Sequence, residues 1–145
     1  MDGPETSSEE IDTAESVLTR AEVGEGVRTA LATYTQALDD GRTDDVVATF
    51  CADGACEIPG LGTHEGHDAL RAAYAGWTPR RPQRHLVLNT VVTPLGAGEA
   101  VADSDVVFLL LGDRGWKIGL VGRYHDTLHL EGGTWPRQPR RPCLH

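Results

Sequence analysis

No apolar run in this chain approaches the roughly 20 residues that a membrane helix requires. The N-terminus carries acids where a secretory leader would place bases and an apolar core. A membrane protein is therefore not expected, and a soluble cytoplasmic one is. Basic charge is also scarce: 13 Lys and Arg stand against 22 Asp and Glu, for a formal net charge of −9. Nothing resembles the basic stripe that phosphate neutralisation demands, which argues against nucleic-acid binding and for a neutral or hydrophobic small-molecule partner. Cysteine is nearly absent. Cys51, Cys56 and Cys143 are odd in number and lack metal-ligand spacing, so reduced thiols are expected rather than a disulfide framework.

The 145 residues suit one domain large enough to bury a core and leave an internal pocket. Met1 to Glu15 hold six acids and no base, too little apolar surface to fold alone. This places an acidic disordered tail over 1–18 and a folded domain over 19–145. Val23, Val27, Leu31, Tyr34 and Leu38 recur at helical spacing and predict a helix over 21–40, stopped by Gly41. A short helix is expected over 43–50, a short strand over 55–58 before Pro59-Gly60, a loop at Gly60-Leu-Gly62, and a third helix over 67–75. After Pro82 the pattern turns β-like over 84–95, 99–111, 116–130 and 134–140, with Gly-rich turns between. Helices first and an antiparallel meander afterwards predict an α+β domain with helices packed on one face of a curved sheet.

Two side chains are candidates for acid/base chemistry. Asp39 closes its helix against the macrodipole, which favours cations there, and such violations concentrate at functional sites. His85 opens the apolar run His85-Leu-Val-Leu-Asn-Thr-Val-Val92, where it is either a packing residue or a base. An imidazole titrates near pH 6.5 when unperturbed, and a carboxylate partner fixes its tautomer. Tyr34 shares the inward stripe of the helix, as a core tyrosine or as a donor facing a cavity. Strict alternation puts Asn89 and Val91 on the face of His85. It also makes Asp103, Asp105, Tyr124 and Asp126 supporting or solvent-facing groups. Arg137, Arg140 and Arg141 suggest a solvated basic tail or an anion contact. His64, Glu65 and His67, or His125 and His129, are conceivable metal ligands without a third partner at fixed spacing, so no metal is expected.

The runs Thr33-Tyr-Thr-Gln-Ala-Leu-Asp-Asp-Gly-Arg42, Val47-Ala-Thr-Phe-Cys-Ala-Asp-Gly-Ala55, Gly62-Thr-His-Glu-Gly66, His85-Leu-Val-Leu-Asn89 and Gly122-Arg-Tyr-His-Asp126 resemble the SnoaL-like branch of the nuclear transport factor 2 superfamily. The resemblance covers about 23–141 and implies a cone-shaped curved antiparallel sheet with three N-terminal helices around an internal pocket. In scytalone dehydratase and the hexachlorocyclohexane dehydrochlorinase, an aspartate ending the first helix supports a histidine base on the first long strand. Asp39 and His85 fall on those positions. The dehydrochlorinase pattern is also matched by Asn89, four residues after the histidine, and by Arg140. Tyr34 stands where that enzyme has lysine, so halide elimination does not carry over. In ketosteroid isomerase a first-helix tyrosine stabilises an oxyanion, as Tyr34 would. That enzyme's catalytic aspartate corresponds here to Ile58 beside Glu57.

The resemblance therefore implies a cofactor-independent dehydratase, isomerase or cyclase acting on a polyketide-like or aromatic small molecule. His85, Asp39 and Tyr34 would be catalytic, and Asn89, Tyr74, Tyr124, Asp105 and Arg140 would contact substrate. A non-catalytic ligand-binding protein or small accessory subunit is the alternative reading. Epoxide hydrolysis or cyclisation would need an inward Asp-Arg-Asp cluster, which Asp103 or Asp105 with an arginine could imitate. An open sheet with an uncovered outer face implies a homodimer or homotrimer.

Overall fold

The computed structural model describes residues 18–137. Residues 1–17 of the tail expected over 1–18, and Arg140, Arg141 and Cys143, lie outside that range. Helix α1 spans Arg20–Asp39 and starts at a reciprocal cap. The Thr19 hydroxyl accepts from the Glu22 amide at 3.1 Å, and the Glu22 carboxylate accepts from the Thr19 amide at 3.0 Å. It stops at Gly41, whose φ of +71° is the left-handed geometry that lets the Arg42 amide reach back to the Ala37 carbonyl at 2.9 Å. Helix α2 covers Thr43–Ala48, and α3 covers His67–Gly76. No helix among the described residues is long and apolar enough to cross a membrane.

Strands β1 (Ala55–Ile58) and β2 (Gly62–Glu65) form a separate antiparallel hairpin. The β2 half was not expected from its polar sequence. Strands β3 (Gln83–Gly96), β4 (Glu99–Gly112) and β5 (Gly115–His129) form the antiparallel meander in the order β3-β4-β5. The run expected as a last strand makes only isolated bridges at Thr134 and Arg137 within the described residues. The sheet is curved and not closed. Register shifts at Leu88/Val91, Pro94/Gly96 and Phe108/Leu109 mark irregularities of the kind that bend strands.

Helix α1 lies across the inner face of the meander and divides the core in two. Val23, Val27 and Leu31 pack with Ala100, Ala102, Leu128 and Trp135 at one end. The two alanines on β4 leave room for the helix. At the other end Tyr34 and Ala37 join Val46, Val47, Phe50, Cys56, Leu70, Tyr74, Val106 and Tyr124. Burying each large apolar side chain contributes about 1.5–3 kcal/mol.

Candidate active site

The site begins where the last turn of α1 meets the edge strand β3. The Asp39 carboxylate accepts three hydrogen bonds: from the His85 backbone amide at 2.7 Å, from His85 Nδ1 at 2.6 Å and from Gln83 Nε2 at 3.2 Å. These donors offset the unfavourable position of an acid at a helix C-terminus. The carboxylate in turn satisfies the His85 edge amide, which no neighbouring strand reaches. The side chains of Asp39 and His85 are 5% and 16% exposed, so both belong to the interior wall. An ionised carboxylate only accepts, so it selects the imidazole form that carries the proton on Nδ1 and the lone pair on Nε2. Register sets His85 opposite Phe108, and the two rings stack with centroids 4.5 Å apart.

His85 borders a cavity of about 220 Å³ lined by Tyr34, Leu38, Cys56, Ile58, Leu61, Tyr74, Trp77, Gln83, Phe108 and Tyr124. The Tyr34 and Tyr74 hydroxyls lie 2.6 Å apart, and Tyr74 also donates to Cys56 Sγ at 3.5 Å. Tyr34 sits edge-on to Phe50, Tyr74 and Tyr124. A larger surface groove of about 520 Å³ runs along the other side of Asp39 and His85, lined by Thr35, Gln36, Asp40, Arg84, Leu86 and Leu88. The smaller cavity is walled largely by aromatic rings, whereas the groove is bordered mainly by polar and exposed residues.

Behind Tyr34 lies a buried ion pair, Arg137 Nε to Asp126 Oδ1 at 3.2 Å, with side chains 5% and 4% exposed. The Arg137 guanidinium stacks 3.8 Å above the centre of the Tyr34 ring. Burial pushes the Asp126 carboxyl above the ordinary carboxylate range, opposed by the charge of Arg137. The solvated-tail expectation is thus corrected for Arg137: its backbone is tied between Thr49 and Cys51, which draws the side chain into the core.

The structure brings His85, Tyr34, Tyr74 and Tyr124 to one cavity, with Asp39 behind His85 on the side of the groove. It does not bring Asn89 or Asp105 there. Asn89 sits within the register shift of β3 with φ +52°, so Leu88 and Asn89 are both exposed, while Thr90 turns inward to Ser104 at 3.0 Å. Asn89 Nδ2 donates to Asp105 at 2.9 Å, and Arg123 donates to the same carboxylate at 2.8 Å, all on the outer face. The Asn89 bond first, then Arg123, holds the Asp105 carboxyl below its ordinary range. Asp103 pairs outside with His125. Neither aspartate forms the inward cluster that epoxide chemistry would need. Val91, expected on the face of His85, is likewise turned outward by the bulge.

Among the described residues no three His, Cys, Asp or Glu side chains gather as a metal-ligand set. His64 packs edge-on to Trp77, and His67 Nε2 contacts the Phe50 carbonyl at 3.0 Å. Gln83 was missed by sequence reasoning, although it lies two residues before His85 and alternation places both on one face. The Asp126–Arg137 pair had no local signal, because the two residues meet only in the fold.

A family model described as the SnoaL-like domain matches residues 19–141. No curated protein matches by sequence. Among solved structures, an NTF2-like protein with a cystatin-like fold from Novosphingobium aromaticivorans is 19% identical, with TM-score 0.76 over 97% of this chain and 92% of that one. A scytalone dehydratase candidate from the same organism is 24% identical, with TM-score 0.70 over 80% and 79%. A candidate β subunit of an aromatic-ring-hydroxylating dioxygenase, also from that organism, is 22% identical, with TM-score 0.72 over 87% and 91%. At these identities the likeness establishes the cystatin-like fold.

Proposed function

The chain belongs to the SnoaL-like family, and from that premise we propose that its aromatic cavity is a cofactor-independent acid/base site for a small aromatic or polyketide-like molecule. The observation that carries this reading is the Asp39–His85 contact of 2.6 Å on the wall of that cavity. Asp39 holds Nδ1, which leaves Nε2 to accept a proton from a substrate carbon or hydroxyl. Tyr34, held 2.6 Å from the Tyr74 hydroxyl, turns its O–H from Tyr74 to the substrate oxygen on which negative charge develops. The protonated imidazole then returns the proton to a leaving hydroxyl in a dehydratase, or to another carbon in an isomerase or cyclase. Such assistance supplies on the order of 10²- to 10⁴-fold in rate.

Cavity size limits the substrate. A cavity near 150 Å³ accommodates benzene, so about 220 Å³ has room for one substituted ring. The reading is tested by proton–deuterium exchange in heavy water. Single-ring aromatic ketones and hydroxylated analogues are followed by NMR, which reports proton abstraction without knowledge of the product. Exchange that requires His85 is expected. Exchange equal in His85→Ala would remove His85 from the mechanism.

A second reading, a ligand-binding or accessory subunit, is favoured by the apolar outer face of the sheet. Leu86, Leu88, Val91, Ile118 and Val121 are exposed there, with Ile118 at 65%. An apolar face of this kind is suited to covering by another chain, whether a second or third copy of this one or a larger partner.

A further inference from the structure

We propose that the buried Arg137–Asp126 pair is a positioning device for Tyr34, fixing a positive charge under the phenol so that Tyr34 serves as the oxygen-stabilising donor of the cavity. This rests on the acid/base reading above and adds to it the residues that prepare the donor. A buried ion pair is no stability bargain, because apolar residues of similar volume usually serve packing as well or better. Its place behind a cavity wall points to another use. The guanidinium lies 3.8 Å from the Tyr34 ring centre and farther from those of Phe50 and Tyr124, at 5.5 and 5.8 Å, so its charge acts mainly on Tyr34.

The backbone fixes this placement independently of the side chain. The Arg137 amide donates to the Thr49 carbonyl at 3.0 Å, and the Arg137 carbonyl accepts from the Cys51 amide at 2.8 Å. The ring of Tyr34 thus has a cation on one face and its hydroxyl directed to Tyr74 at the cavity wall. A nearby cation favours negative charge on the phenol oxygen and strengthens the O–H as a donor. The ionisable groups around Tyr34 are Arg137 in the C-terminal segment, Asp126 and Tyr124 on β5, Tyr74 on α3, Cys56 on β1 and His85 on β3. Phe50, after α2, carries no charge.

The chain contains three tyrosines, and all three line this cavity. Tyrosinate formation followed by ultraviolet difference absorbance therefore reads the cluster alone, and Tyr34→Phe identifies its member. Arg137→Gln should raise the midpoint assigned to Tyr34 by on the order of one pH unit. An unchanged midpoint in folded Arg137→Gln would overturn the proposal. If that variant does not fold, Asp126→Asn is read instead. It leaves the guanidinium charge uncompensated and should lower the midpoint, and a raised or unchanged one would overturn the proposal. His85→Ala should leave these shifts in place, so failure of the acid/base reading and failure of this one are separable.

Discussion

At the residue scale, Asp39 does two jobs with one carboxylate. It satisfies the edge amide of His85 and orients the His85 ring. Asp39→Asn places an amide among three donors and should lower exchange or turnover at least about tenfold, as should His85→Ala, with both variants folded by circular dichroism. Full activity in either would remove that residue from the mechanism. Cys51 gives a separate pH test. Burial first, and Glu131 second, push its thiol from 9.0 to about 11. Its folded value lies above its unfolded one, so the stability it contributes is complete below pH 9.0 and is lost as pH rises through about 11. The denaturation midpoint should fall across that window, and fall less in Cys51→Ala. The Asp39–His85 pairing was legible chiefly through the family resemblance, with the anomaly of an acid at a helix end as a secondary sign. Arg137 was not, since nothing local distinguishes a buried arginine from its solvated neighbours.

At the element scale, the decisive feature is the bulge in β3. Alternation from His85 failed at Asn89, because one extra residue exchanges every later side chain between faces. The sequence marks this only by an asparagine, a residue that tolerates left-handed φ. Asn89→Val should destabilise by about 1–2 kcal/mol in chemical denaturation, and Asn89→Gly should cost less, since glycine takes φ +52° without strain. Equal losses would mean that the bond to Asp105, which both variants lack, carries the effect instead. The helices were legible almost to the residue from their apolar spacing and from Gly41. The β2 strand was not, since its polar residues pair only because β1 folds back beside them.

At the scale of the whole molecule, the fold class was readable from the order of helices and strands, and the unclosed sheet then leaves two faces with different duties. The inner face holds the cavity and both core clusters. The outer face exposes Ile118, Val121, Leu86 and Leu88 beside the Asp105–Arg123 pair. Assembly through this face predicts a dimer or trimer in sedimentation velocity, converted to monomers by Ile118→Lys with Val121→Lys. A monomeric parent protein would contradict it. Which partner covers the face was not legible, because composition reports apolar area but not its complement.

The most direct test of the acid/base claim is the tautomer of neutral His85, read from its ring nitrogen shifts by ¹⁵N NMR. The proton should reside on Nδ1, with Nε2 as the lone-pair nitrogen, and this preference should weaken in Asp39→Asn. A proton on Nε2 in the parent protein would mean that His85 offers the cavity no base, contradicting the proposed mechanism.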